Sequence, residues 1–278
     1  MIKRSFSQVD VFSSVPYLGN PVAVVLDADG VTDEAMAAFA RWTNLSETTF
    51  VLPPTTPDAD YRLRIFTPGG ELPFAGHPTL GSAHAWLEAG GVPARGDLIV
   101  QECIAGLIDI RRDGATLAFA APPTTRSGPV DEETVERIAR GLGVERSEIL
   151  SHQWIVNGPP WLAVELASAE RVLALEPDLS IIPDLNTGVF GAYPEGHEHA
   201  HEVRGFVPII GVPEDPVTGS LNASLAQWLH REGRTPAAYT NGQGTRLGRD
   251  GVVRITVVDD AVWVGGESTT AIAGTVLL

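Results

Sequence analysis

The chain has 278 residues, of which 44% are hydrophobic and 19% charged, enough for one large or two ordinary globular domains. Its formal net charge of -16 argues against nucleic acid and anionic membrane surfaces as partners, because both are negatively charged and bind proteins through basic surfaces. Cys103 is the single cysteine, which excludes an internal disulfide and a cysteine-based metal site. No secretory leader and no apolar run of about 18 residues is visible, so a cytoplasmic protein is expected.

Strands in the first half are predicted from apolar runs and from alternation of apolar and polar residues, at 5–12, 22–26, 48–52, 61–66, 98–102, 107–111 and 116–120. Thr32 is expected to cap a helix over 33–42, and Asn44 to end it. We expect Trp42 on the apolar side of that helix. A second, highly apolar helix is predicted to start at Pro78, because proline suits a first helical position. It should be buried.

The pattern restarts after residue 120. Asp131 is expected to cap a helix running to about Leu142, and we match this helix to the one over 33–42. Further helices are predicted over 169–175 and 221–231. Strands are predicted at 154–156, 161–166, 185–192, 203–207, 252–258, 262–265 and 275–278.

Two stretches indicate an internal duplication. Glu71-Leu-Pro-Phe-Ala-Gly-His77 and Glu214-Asp-Pro-Val-Thr-Gly-Ser220 lie 143 residues apart. Each has an acidic residue two places before a proline, a glycine three places after it, and then an apolar helix. The expected fold class is α+β with two similar halves, each a barrel-like, mostly antiparallel sheet around a central helix. The expected domains are 1–120 and 121–278, and the last strand, 268–278, can pack with the first half.

The two glycine-led helix starts suggest an anion site. A helix N-terminus presents unpaired N–H groups and a positive dipole end, and glycine lets the backbone approach a ligand closely. If the halves face one another, both helix starts converge on one cleft that suits a small carboxylate. His77 and Ser220 occupy equivalent positions, whereas Asp215 stands where the first half has Leu72. This asymmetry would allow a proton to be given at one face and taken at another.

Four motifs in order resemble the phenazine-biosynthesis PhzF-like isomerase family: Val11 to Val25, Asn44-Leu-Ser-Glu-Thr-Thr-Phe50, Pro73 to Gly81, and Glu214 to Ser220. The resemblance implies a diaminopimelate-epimerase-like fold with the site between two halves. It also implies proton transfer within a small unsaturated carboxylate, without metal or organic cofactor. The resemblance assigns the acid/base role to Glu47 and places the substrate among Asn20, Ser46, Gly76, His77, Asp215, Gly219 and Ser220, of which His77 and Asp215 are further catalytic candidates.

Racemases that share this implied fold use two cysteines, one just before the glycine at each helix start. The corresponding residues are Ala75 and Thr218. Two-thiol racemisation is therefore excluded, which agrees with a carboxylate as the acid/base.

Other interpretations of the same residues stay open. Glu47 could be an exposed carboxylate at the start of a strand, and Ser220 a helix cap. Asp215 could satisfy backbone N–H groups at its turn. A Ser220–His77–Asp215 hydrolase triad is conceivable but lacks a Gly-x-Ser-x-Gly elbow.

Alternatives at the level of the whole chain are a non-catalytic protein that binds small anions and an amino-acid epimerase without thiols. A homodimer is a candidate assembly. His197, His199 and His201 alternate as metal ligands on a strand would, although their glycine, glutamate and proline surroundings favour a solvated loop.

Overall fold

The structure is a computed structural model that describes residues 2–278. Within these residues the α-helices are α1 (Asp33–Thr43), α2 (Gly76–Glu88), α3 (Glu132–Leu142), α4 (Ala169–Leu173) and α5 (Gly219–Arg231). The strands are β1 (Lys3–Val11), β2 (Asn20–Val25), β3 (Thr48–Leu52), β4 (Tyr61–Thr67), β5 (Gly70–Leu72), β6 (Leu98–Cys103), β7 (Gly106–Asp113), β8 (Thr116–Ala120), β9 (Arg126–Gly128), β10 (Ser151–Val156), β11 (Trp161–Glu165), β12 (Asn186–Ala192), β13 (His201–Val207), β14 (Val212–Asp215), β15 (Ala238–Gln243), β16 (Gly251–Val258), β17 (Ala261–Gly266) and β18 (Ser268–Leu277).

The chain forms two compact units. Unit 1 comprises Met1–Ala120 and Gly265–Leu278, and unit 2 comprises Ala121–Val264. The C-terminal strand belongs to unit 1 because β18 pairs antiparallel with β1 along its whole length, from Lys3 opposite Leu277 to Val11 opposite Ser268.

The sheet of unit 1 runs in the order β18, β1, β2, β3, β4, β6, β7, β8, with β5 added beside β4. Two neighbouring pairs are parallel, β2 with β3 and β4 with β6, and the others are antiparallel. A parallel pair needs a crossover connection, which α1 and α2 supply.

Helix α2 lies inside the curve of this sheet. It contacts β1 and β18 at one end of the strand order and β8 at the other, as well as β2, β3 and β4 between them. A Cβ at Gly81 would lie 2.4 Å from Cγ1 of Val22 and 2.9 Å from Cγ2 of Val11, so this helix face fits closely against β1 and β2. Leu80 and Ala83 of α2 are buried completely. Burial on several sides explains why the helix is apolar nearly all round.

Unit 2 repeats this plan. The pairing of β10 with β11 is antiparallel, that of β11 with β12 parallel, that of β12 with β13 antiparallel and that of β13 with β15 parallel, and β14 is added beside β13. Helix α5 packs Leu221, Leu225 and Trp228 into a core with Trp161 and Phe190. The expected α+β class, with two similar halves built on a mostly antiparallel sheet and a central helix, is confirmed.

One expected correspondence is wrong. Helix α3 does not match α1, because α1 connects the parallel pair β2–β3 and the connection between the equivalent pair β11–β12 is α4. Helix α3 precedes the repeated strands and covers them with Val135, Ile138 and Leu142. Asp131 caps it as predicted, but a cap residue shows where a helix begins and not its place in the fold.

Two local expectations also differ. Helix α2 begins at Gly76 rather than Pro78, because the first turn of a helix has no partners for its N–H groups and tolerates proline anywhere within it. Trp42 is 80% exposed and stacks on Phe39 instead of joining the core. None of the helices described in residues 2–278 has both the length and the apolar character of a membrane-spanning segment.

Candidate active site

Glu47 lies where three elements of unit 1 meet. Asn44 ends α1 with a left-handed backbone (φ 55°), which turns the chain toward β3. The carbonyl of Glu47 accepts a hydrogen bond from the Ala23 N–H of β2 at 3.4 Å. Glu47 directly precedes β3, and its side chain is 13% exposed. The interpretation of Glu47 as an exposed carboxylate is therefore wrong.

Burial changes the acidity of Glu47. Loss of solvation raises the pKa of its carboxyl group to about 7, and a hydrogen bond from the Ser46 side chain partly opposes that rise. Near neutral pH the group is therefore divided between its acid and base forms, which is the condition that favours a general acid/base.

His77 occupies the second position of α2 and is 6% exposed. Its Nε2 lies 3.4 Å from Oε2 of Glu47, and its Nδ1 lies 3.5 Å from the amide nitrogen of Asn20. An amide nitrogen only donates, so this orientation makes Nδ1 the acceptor and places the imidazole proton on Nε2, toward the carboxylate. The structure thus brings Asn20, Ser46, Glu47 and His77 together in unit 1, beside Gly76.

Hydrogen bonds hold these elements in place. Thr49 of β3 shares a hydrogen bond with Ser82 of α2 at 2.8 Å, and its hydroxyl donates to the Ala23 carbonyl at 3.2 Å. Because β2, β3 and α2 are joined through one buried threonine, the residues that flank them keep a fixed geometry. Thr49 belongs to the Ser-Glu-Thr-Thr motif, yet its position as the link between elements was not predicted.

The starts of α2 and α5 differ from those of the other helices. Helices α1, α3 and α4 each have a side-chain cap, from Thr32, Asp131 and Ser168. At α2 and α5, among the described residues, no side chain caps the N-terminus and no acidic residue stands in the first turn. The two helices that begin with Gly76 and Gly219 are thus the ones with neither a capping bond from the N-cap side chain nor an acidic residue in the first turn, which leaves the positive end of each helix dipole without a balancing carboxylate in that turn.

Asp215 lies at the end of β14, three residues before the N-cap of α5. Its Oδ2 accepts a hydrogen bond from the Thr218 hydroxyl at 2.6 Å, and its carbonyl accepts one from the amide of Gln243 at 3.1 Å. Gln243 also accepts from the Thr218 N–H at 3.0 Å. Asp215, Gly219 and Ser220 therefore lie on one rigid turn of unit 2. Gln243 was missed, although Gln101 in unit 1 similarly bonds Thr79 of α2 at 3.1 Å.

Ser220 is not the N-cap, which is Thr218. The hydroxyl of Ser220 lies in the first turn of α5 and accepts a hydrogen bond from the indole N–H of Trp161 at 3.0 Å. Trp161 begins β11 and is buried. The helix start is thereby tied to the sheet of unit 2.

The three alternating histidines do not share one strand. His197 and His199 lie in the loop before β13, where His197 stacks on Tyr193 with 3.8 Å between ring centroids. His201 begins β13 and its Nδ1 lies 3.0 Å from Oδ1 of Asn241. The interpretation as a loop is right for His197 and His199.

Comparison with known proteins supports the architecture and the motifs. The family of phenazine biosynthesis-like proteins, PhzC-PhzF, matches residues 9–274. Antisense-enhancing sequence 1 of Schizosaccharomyces pombe is 38% identical, with 99% of each chain covered. Trans-2,3-dihydro-3-hydroxyanthranilate isomerase of Pseudomonas aeruginosa is 37% identical, with 87% of this chain and 86% of that protein covered.

A solved structure shares the fold over the full length. The phenazine biosynthesis protein of the PhzF family from Bacillus anthracis superposes with a TM-score of 0.86, at 24% identity and with 100% of both chains covered. The resemblance predicted from the four sequence motifs is confirmed by these matches.

Proposed function

Because the chain belongs to the phenazine biosynthesis-like PhzF family, we propose that it is an isomerase that moves a proton within a small unsaturated carboxylate. The reaction proceeds by acid/base catalysis and needs no cofactor. Trans-2,3-dihydro-3-hydroxyanthranilate, named for the relative from Pseudomonas aeruginosa, is the test substrate.

The observation that carries this proposal is the buried Glu47 carboxyl, whose pKa of about 7 suits both removal and return of a proton. The carboxylate takes a proton from a carbon made acidic by neighbouring unsaturation. The resulting carboxylic acid then returns the proton to another carbon of the same molecule. No net proton is consumed, so the glutamate is regenerated in each cycle.

His77 orients this carboxylate. Because the amide nitrogen of Asn20 lies at Nδ1 of His77, the proton of His77 is on Nε2 and points toward Glu47. This proton favours one orientation of the Glu47 carboxylate. This also makes His77 the second group through which a proton can pass. Its position beside the open start of α2 puts it next to the place proposed for the substrate anion.

The uncapped starts of α2 and α5 are the proposed sites for anionic groups of the substrate. Asp215, fixed on its turn, is the proposed polar group of unit 2. The cleft between the two halves, expected from the sequence, stays a prediction. The acid/base role proposed for Glu47 depends only on residues of unit 1.

The test is steady-state turnover of the candidate substrate by the wild type and by Glu47→Gln. The substitution keeps the shape of the side chain and removes the base, so kcat should fall by about 10²- to 10⁴-fold. Glu133→Gln, in the first turn of α3 and exposed, is the control for loss of one carboxylate. Full turnover by Glu47→Gln would contradict the proposal. Substrate binding without turnover by the wild type would favour the non-catalytic binder instead.

A further inference from the structure

We propose that two partly buried arginine–glutamate pairs, Arg64–Glu71 and Arg204–Glu214, are positioning devices that hold the segments leading into the starts of α2 and α5. This inference rests on the proposed function, since it concerns how the anion sites are held. It gives a role to the acidic residue that precedes each proline in the duplicated motif. Neither arginine was predicted to have a function.

In unit 1 the pair joins β4 to β5. Arg64 donates from Nε to Oε1 of Glu71 and from Nη2 to Oε2, both at 2.7 Å. Two parallel bonds between a planar guanidinium and a carboxylate fix orientation as well as distance. Arg64 also donates to Asp33 at the start of α1. Arg64 therefore connects the start of α1 to β5, the strand that leads into α2.

In unit 2 the same geometry recurs between β13 and β14. Arg204 donates from Nε and Nη2 to the two carboxylate oxygens of Glu214, at 2.9 and 2.8 Å. The side chains are 5% and 10% exposed. Nη1 of Arg204 donates to the carbonyls of Val172 and Leu175 at 3.1 and 2.9 Å, at the end of α4. Here too the arginine ties the other crossover helix to the segment that leads into the central one.

Each glutamate lies in a short strand at which the chain has few ladder hydrogen bonds to its sheet. Strand β5 has three residues and β14 has four, and the register of β14 with β13 is irregular. Pro73 and Pro216 follow, and proline has no N–H with which to extend a ladder. A bidentate side-chain pair compensates for the short ladder and fixes where the following turn and helix begin.

The consequence concerns substrate affinity more than the chemical step. A helix start that holds an anionic group acts in the ground state and the transition state alike, so its displacement raises KM and leaves kcat nearly unchanged. A displacement of about 1 Å can lower kcat/KM by about 100-fold.

The experiment compares Glu71→Gln, Glu214→Gln and the control Glu148→Gln. Glu148 forms a bidentate pair with Arg171 of α4, and both side chains are about one-third exposed. The first two variants should lower kcat/KM by about 10- to 100-fold, mainly through KM. The control should keep both constants. The effects of Arg64→Gln and Glu71→Gln on KM should be smaller in the double variant than the two single effects combined, because the two side chains form one pair.

Benzoate is a small unsaturated carboxylate and serves as a probe for the proposed anion site. Its affinity, measured by calorimetry, gives a second measurement that needs no turnover. Glu71→Gln should weaken benzoate binding by about tenfold or more, and circular dichroism verifies that the variant is folded. If Glu214→Gln does not fold, the more exposed Arg64–Glu71 pair still decides the question.

Unchanged KM and unchanged benzoate affinity in a folded Glu71→Gln variant would overturn the inference, as would a wild type that does not bind benzoate. Failure of the proposed function is recognised separately, by turnover that does not depend on Glu47. Weaker benzoate binding in Glu71→Gln would support the positioning role even then.

Discussion

Glu47 is the residue whose properties depend most on its surroundings. The four-motif resemblance assigns it the acid/base role, but its sequence context alone is compatible with an exposed carboxylate at the start of a strand. Its burial and its distance from His77 arise from the packing of β2, β3 and α2, which are separated along the chain. Because desolvation raises its pKa, the chemical property on which its proposed catalytic role depends comes from tertiary structure.

The raised pKa of Glu47 predicts a pH-dependent cost in stability. The folded state binds the carboxyl proton more tightly than the unfolded state, so this group destabilises the fold as pH rises from about 4.5 to about 7. At higher pH the full cost is on the order of 3 kcal/mol. Glu47→Gln should therefore be more stable than the wild type at about pH 8, by up to that amount, and nearly equal to it at about pH 4.5.

Denaturant unfolding at the two pH values measures this difference. The exposed Glu133→Gln variant controls for loss of a carboxylate. A Glu47→Gln variant that is less stable than the wild type at about pH 8 would show that the buried carboxylate is stabilised by its neighbours, and would contradict the explanation by desolvation.

At the scale of elements, the open start of α2 predicts a conflict between stability and function. Ala75 is its N-cap, with an extended backbone (φ -151°, ψ 139°) that suits a capping side chain. Ala75→Asp should stabilise the helix by about 0.5–2 kcal/mol. The new carboxylate would also occupy the place proposed for the substrate anion. We therefore expect higher thermal stability together with loss of benzoate binding.

Thermal unfolding and calorimetry on the same preparation check this prediction. Asp131→Ala is the matched control at α3, because it removes a cap that has no proposed role in binding. It should lower stability by about 1 kcal/mol and leave benzoate affinity unchanged. Unimpaired benzoate binding by a stabilised Ala75→Asp variant would contradict an anion site at this helix start.

Most elements were predictable from hydrophobic periodicity and cap residues, while their places in the fold were not. Thr32, Asn44 and Asp131 mark helix ends through local hydrogen bonds, so the sequence reveals them. The correspondence of α1 with α4 depends on which strands become parallel neighbours, and no local signal reports it. The exposure of Trp42 likewise depends on how α1 lies against β3 and β4.

At the scale of the whole molecule, the repeated strand order supports a duplicated architecture. The spacing of 143 residues predicted two related halves because equivalent turn motifs survive in both. The sequence did not reveal that α3 has no counterpart in unit 1, since α3 contributes to the core of unit 2 like any amphipathic helix. The return of the chain to unit 1 through β18 could be anticipated only from an apolar C-terminus.

That return predicts an uneven response to truncation. A chain that ends at Glu267 lacks β18, so β1 loses its antiparallel partner from Lys3 to Val11. We expect hydrogen exchange in β1 and its neighbour β2 to become much faster, while strands β10 to β13 keep their protection. Exchange that is unchanged in β1 would show that β18 contributes little to unit 1.

The central claim is that Glu47 carries the transferred proton, and the most direct test follows deuterium. Trans-2,3-dihydro-3-hydroxyanthranilate is incubated in heavy water with the wild type, Glu47→Gln or Glu133→Gln, and the reaction mixture is examined by mass spectrometry and NMR. We predict conversion by the wild type and Glu133→Gln, with deuterium at the carbon that receives the proton whenever Glu47 exchanges with solvent during the cycle. Glu47→Gln should give neither conversion nor deuterium. Conversion by Glu47→Gln at the wild-type rate would contradict the account.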